Sequence, residues 1–494
     1  MKKSSLCLSA AAALAVAAAL AGCGGTTYFA GRNLPPSALL NRVLIAIQNP
    51  SSFNHGALQF VDAYYDVRGG YSGTPATYSI TGFSGALPIS IQNMPEEQTG
   101  AVYGSGDGSF TLVSYGKEAV GATVTGLNGL SSSIFITRNQ GYVFAANQAS
   151  HVLTAVNRNT SGSYALSLPG VYRVSVNTGG SIALAFVQNS NYVYYPRELT
   201  SAQTLEFSGG PSSWPRAAED CEPQNAPAWC LYQVQSPDTA DPRGIDWGYY
   251  GAPLTFDRPV KAVFSADGGT AYILNCGPEC GGSKSSVSLL PVAPMIYLSG
   301  QQSGLLPATG TVTNIPVPGG ASNALLDVTT LYVVGQQPVP VQGQTLYGGN
   351  MTVVNLANNT VVPSTSAAPN PAPISDGQPG AISRMILADN NTLWIGMTKC
   401  TNGVRAATGQ PDGCLTMVNT TNNTVTMLEP YLGDATGIAA VTGLNKIYTA
   451  EGGQVYIYST ADGSAIDNQY VTVTGTAYDV AYMDATSDGN NTVY

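Results

Sequence analysis

The chain is 494 residues long and sets 19 Lys and Arg against 29 Asp and Glu, a formal net charge of −10. That acidity excludes nucleic acid as a partner, because neutralising phosphates takes a basic stripe, and it makes anionic lipid head groups an equally poor match. Charged residues make up only 10% of the chain while Gly numbers 56, so solubility rests on amides and hydroxyls; past the N-terminus no stretch reaches the roughly 18 apolar residues of a membrane helix.

In chain order, Met1-Lys2-Lys3 gives a positive start, Leu6 to Leu20 is an Ala/Leu-rich apolar core, and Leu20-Ala21-Gly22-Cys23 follows directly. This is the layout of an export signal. The last four residues resemble the lipobox of bacterial lipoproteins, and the resemblance implies that Cys23 is S-acylated and becomes the first mature residue. The alternative is an ordinary secretory signal with a chance cysteine. Gly24 and Gly25, rather than Asp, come next, which under the same resemblance implies sorting to the outer membrane, on its periplasmic or surface face. Residues 1–22 are thus a signal peptide, 23–40 a lipidated tether and 41–494 the body. One acyl chain holds a protein only marginally, several hold it stably.

The body opens with three strand-like runs, Asn41 to Gln48, Gly56 to Asp62 and Ala76 to Thr81, that have no preceding partner. At the far end Ala477 to Met483 opens a unit, with Asp488-Gly489 as its turn, that the chain does not finish. A part unit at each end is what a closed ring needs, since the last strand then completes the first sheet and leaves no wet edge. Between the ends, units start near Pro88, Ser131, Val171, Pro259, Ala321, Ala381 and Gly437. The unit at Ala381 is the clearest: Ile382 to Leu387 and Leu393 to Met397 flank Asp389-Asn390-Asn391, residues that tolerate the left-handed backbone of a tight hairpin. Second hairpins follow at Met351 to Val362, Cys414 to Leu428 and Gln454 to Ile466. Two hairpins per unit of roughly 40 to 60 residues predict an all-β, β-propeller fold with four-stranded blades. Seven internal starts and one split unit give eight blades; the weak unit from Pro88 to Leu127 leaves seven open.

Ala262-Val-Phe-Ser-Ala-Asp-Gly-Gly-Thr-Ala-Tyr-Ile-Leu-Asn275, and Tyr142 to Asn147 for its second half, resemble the repeats of YVTN-type and lactonase-like β-propellers. The likeness covers most of Ser131 to Tyr494. It implies the fold and little chemistry, because such propellers include surface, binding and catalytic members.

The longest interruption, about 209–255, is proline-rich and carries Trp214, Trp229 and Trp247 with Tyr249 and Tyr250. Aromatic side chains favour recognition surfaces, so this loop is the candidate binding loop for a ligand, glycan or protein; the alternative is that its rings pack down onto the propeller. Setting aside Cys7 and Cys23, the cysteines fall into near pairs, Cys221/Cys230, Cys276/Cys280 and Cys400/Cys414. An even number in an exported chain predicts disulfides, paired here by proximity alone. Without a Cys-x-x-Cys, and with only His55 and His151 as imidazoles, no metal site and no cofactor is expected.

No Gly-x-Ser-x-Gly elbow or Ser-His-Asp constellation is present. Propeller lactonases use carboxylates around a central channel, and Glu96, Glu97, Asp107, Asp267, Asp389, Glu429 and Asp434 are the candidates here. Asp267 and Asp389 also fit simple hairpin turns. Gly104-Ser-Gly106-Asp-Gly108 lacks the following helix that makes such glycines hold phosphate, and it reads as a turn. The sequence therefore points to an exported, lipid-anchored, non-catalytic binding scaffold, with a lactonase-like hydrolase as the alternative.

Overall fold

In the computed structural model, the described residues are 27–28, 32–49, 55–67, 78–199, 218–222, 229–237, 250–295, 312–341, 344–375, 381–398, 413–428 and 433–487. They form a ring of 8 blades, a β-propeller. Blade 1 is split between the ends of the chain. Its innermost strand is Thr476–Tyr482, followed outward by Arg42–Gln48 and Ala57–Asp62. Ser79 adds an outer bridge to Gln59. Blades 2 to 8 begin, innermost strand first, at Pro88–Met94, Ser133–Ile136, Val171–Val176, Pro259–Phe264, Asn323–Asp327, Ala381–Ala388 and Ala435–Val441. The units expected near Pro88 and Ala321 are both complete, which settles eight over seven.

Ring closure is antiparallel and in register: Val43 faces Tyr482, and Ile45 faces Val480. Each pair of neighbouring blades encloses one apolar cluster. Leu44 and Phe60 pack with Ile91 and Val102 between blades 1 and 2, and Val43 and Ile45 pack with Tyr448 and Ile457 between blades 8 and 1. Because both faces of every blade are core, strands such as Arg42–Gln48 are buried at nearly every position instead of alternating. Thin sheets of this kind bury their faces by stacking on one another.

The turns follow their residues. Asn390 and Asn391 sit at φ 61° and 52°, Gly268 at 70° and Gln140 at 57°. Asp267 Oδ1 accepts from the Gly269 N–H and Asn139 Oδ1 from the Gly141 N–H, each at 3.0 Å, the side-chain mimicry of a turn that favours Asp and Asn.

Two features depart from the expected strands. The insertion is partly sheet: Trp229–Gln233 is the fourth strand of blade 4, and Ala218–Glu222 pairs outside it as a fifth. In blade 6 the hairpin of Thr330–Val341 and Gln344–Asn355 runs far beyond the blade body, carrying Pro338 and Pro340 within a paired strand.

Candidate functional site in the central channel

The innermost strands line the channel, and six of them share a register shift near their start. The shift leaves Ile89, Tyr172, Val260, Ser383, Thr436 and Tyr478 unpaired. An extra residue of this kind bends the strand and re-aims the side chain that follows. The residues so placed are Ser90, Arg173, Lys261, Arg384, Gly437 and Asp479. Three of these are cations, in a chain whose net charge is −10.

Side chains also satisfy the backbone edge that each inner strand turns to the axis. Asp479 Oδ2 accepts from the Ile91 N–H at 2.8 Å, and Gln92 exchanges two bonds with the Ile136 backbone at 2.7 and 2.8 Å. Ser133 Oγ accepts from the Val174 N–H at 3.2 Å, and Ser175 Oγ from the Ala262 N–H at 3.1 Å. Each bond joins one blade to the next.

Two long cations reach past the adjacent blade along the channel wall. Arg384 of blade 7 forms an ion pair with Asp479 of blade 1, passing over blade 8. Gly437 permits this, since a Cβ there would lie 2.5 Å from Asp479 Oδ1 and 2.6 Å from its Cα. Burial pushes the Asp479 carboxyl up from its ordinary value, and Arg384 with the Ile91 and Val480 N–H groups pulls it back. Arg173 of blade 4 stacks on Tyr172, 5.6 Å from the ring centroid, and points its Nη1 at the Val260 and Ser322 carbonyls, 3.5 Å from each. It has no acidic partner among the described residues.

Lys261 is 7% exposed, and its Nζ donates to Asn323 Oδ1 at 2.8 Å. Burial, reinforced by the charges of Arg173 and Arg384, pushes its pKa down to about 7. Lys261 and Asn323 lie at the inner end of a 440 Å³ cavity whose walls include Phe135, Phe264, Leu326 and Met385. At its mouth Val328 is 88% exposed with φ 52°, a strained backbone for a β-branched residue that holds an apolar side chain in water. The opposite end of the channel is a 230 Å³ recess lined mainly by Ser, Thr and Tyr, with Arg384 at its wall.

The carboxylates singled out in the sequence do not converge. Glu96 and Glu97 pair with Arg138 at the cavity rim. Asp107 accepts from Ala86 and Ser109 N–H groups in a turn, Asp267 closes its own hairpin, and Asp389 accepts from the Gly443 and Asn445 N–H groups of blade 8. Asp434 directly precedes the blade 8 inner strand, and Glu429 lies outside the described residues. Among the described residues no three His, Cys, Asp or Glu side chains form a cation cage. Gly104 to Gly108 is a turn between Thr99–Gly104 and Phe110–Ser114, with Gly108 at φ 71°. His55 is exposed and its Nδ1 lies 3.0 Å from the Ser84 carbonyl; His151 occupies the turn before Val152–Asn157.

The candidate binding loop needs correction at Trp229. Its ring is 4% exposed and packs on Tyr142, Phe144 and Tyr164, so it is blade core and not a ligand contact. The cause is its position on the fourth strand of blade 4, facing blade 3. Trp214, Trp247 and Tyr249 lie outside the described residues, and Tyr250 is described only by its backbone pairing with Pro237. Cys221 and Cys230 are bonded across two paired strands, and Cys276 and Cys280 are bonded across one short turn. Cys414 is disulfide-bonded, while Cys400 and Cys23 lie outside the described residues.

No family model matches the chain, and no curated protein matches it. Among solved structures it is similar to the periplasmic gluconolactonase of Pseudomonas aeruginosa, with 12% identity over 90% of this chain and 98% of that one and a TM-score of 0.43. A putative 6-phosphogluconolactonase from Bacteroides fragilis has 10% identity over 90% and 97% of the two chains, with a TM-score of 0.41. Hydrazine synthase of Kuenenia stuttgartiensis has 15% identity over 80% and 100%, with a TM-score of 0.44. Likenesses this distant carry no argument about activity.

Proposed function

We propose that the protein is exported, anchored to the cell envelope through lipid on Cys23, and acts there as a non-catalytic binding body that presents its loops to a protein or glycan. The observation that supports this most is the state of Asp479. It is a fully buried carboxylate on the innermost strand of blade 1, and it is occupied by Arg384 and by two backbone N–H groups, from Ile91 and Val480. A general base must be free to reach the proton it abstracts; Asp479 instead fastens blade 1 to blades 2 and 7. The alternative is a lactonase-like hydrolase working in the same channel.

Ring opening of gluconolactone and simpler γ- and δ-lactones, followed by pH-stat with and without added divalent cation, separates the two. The binding reading predicts rates equal to buffer alone. Saturable hydrolysis that disappears in Asp479→Asn would replace it with the hydrolase reading.

A further inference from the structure

Lys261 is a cation withdrawn from water without a counter-charge. Asn323 Oδ1 is its hydrogen-bond acceptor, and no carboxylate pairs with it among the described residues. An ammonium carries three donors, so two have no acceptor among the described residues. Asn323 Oδ1 also accepts from the Ala324 N–H at 2.9 Å, while its amide NH₂ donates to nothing among the described residues. Both groups border the cavity. The charges facing Lys261 are Arg173 and Arg384, the latter already matched by Asp479; Arg138 at the rim is matched by Glu96 and Glu97. The inner end of the cavity therefore keeps an excess of positive charge, at a place where burial leaves an unpaired ammonium without water to solvate it.

We infer that this end of the channel binds a small organic carboxylate with an apolar body, the carboxylate meeting Lys261 Nζ and the Asn323 amide. The body lies against Phe135, Phe264, Leu326 and Met385, which are half-buried in the cavity wall. The donors left open are one ammonium and one planar amide, a match for the two oxygens of a carboxylate; a phosphate brings more oxygens than these two groups can meet. A volume of 440 Å³ falls in the range of small-molecule sites. The assignment concerns the channel and stands apart from whether the loops hold a partner.

The full chain is titrated calorimetrically at pH 6.5 with phenylacetate, phenylacetamide, acetate and inorganic phosphate. Phenylacetate is expected to bind and the other three to bind at least about tenfold more weakly, the worth of one charged hydrogen bond. Lys261→Met should weaken phenylacetate by at least the same factor while its unfolding transition stays cooperative, and Asn323→Ala should weaken it less. Failure of the parent protein to bind phenylacetate, equal binding by Lys261→Met, or equal binding of phenylacetamide would each overturn the site. Phosphate or acetate binding as tightly as phenylacetate would overturn the apolar half of the assignment.

Discussion

Arg42 and Asp484 stand 442 residues apart in the chain and are joined by a bidentate ion pair, Nε to Oδ2 at 2.9 Å and Nη2 to Oδ1 at 2.6 Å. Arg42 is 0% exposed, and its Nη1 reaches Glu118 at 2.7 Å and the Tyr115 carbonyl at 2.8 Å. One guanidinium thus binds the first strand, the last segment and blade 2. Removing a single partner of such a buried pair leaves an uncompensated charge. Asp484→Asn or Arg42→Met should lower the unfolding free energy by about 3–5 kcal/mol, read from urea denaturation, with Tyr482 and Val43 among the first residues to lose protection.

Gly437 has a second, narrower role. A methyl group there would sit 2.5 Å from Asp479 Oδ1 and 2.6 Å from its Cα, and the latter cannot yield without moving the closing strand. Gly437→Ala should cost about 1–3 kcal/mol, the range for overpacking a tight contact. Gly179→Ala is the control for an added methyl, since its backbone is not left-handed and the nearest atom to its Cβ position is Ser181 Oγ at 3.8 Å. An equal or larger loss at Gly179 than at Gly437 would contradict the channel geometry.

Lys261 makes stability depend on pH in a known direction. Its pKa falls from 10.5 to about 7 on folding, so between those values the unfolded chain holds the proton more tightly and stability rises with pH. The gain is complete only above 10.5 and absent below 7. Comparing the parent with Lys261→Met cancels the tyrosines that titrate at high pH. The variant should be more stable at pH 6, by up to about 4–5 kcal/mol, and the gap should shrink to less than about a quarter of that by pH 10. A gap independent of pH would mean that Lys261 titrates normally.

Lipidation of Cys23 is checked by growing cells on radiolabelled palmitate. The full chain should incorporate label and partition with membranes, and Cys23→Ser should do neither. A labelled Cys23→Ser protein would remove the anchor from the account.

Much of the ring was legible because its local rules are strict. Every blade start lay within a few residues of the expected position, since short apolar runs around Asp-Gly or Asn-Asn turns have few other uses. The long hairpin of blade 6 was hidden by Pro338 and Pro340, which ordinarily argue against a paired strand. The outer strands of blade 4 were hidden in the same way, by the prolines around Trp229. The channel cations were missed for a different reason. Arg173, Lys261 and Arg384 are lone charges at matching positions of three apolar first strands, a signal visible only once the units are aligned on one another. Nothing in the sequence says that Lys261 has no acidic partner among the described residues, because pairing across a ring is a property of distance in space.

The channel, its cations and both proposals exist only if the final strand closes the circle. Hydrogen–deuterium exchange of Thr476–Tyr482 measures this directly, against Pro259–Phe264 of blade 5, which is not shared between the two ends of the chain, as reference. The account predicts that the two segments exchange equally slowly and open together, in the global unfolding event. Exchange of Thr476–Tyr482 within seconds while Pro259–Phe264 stays protected would contradict it.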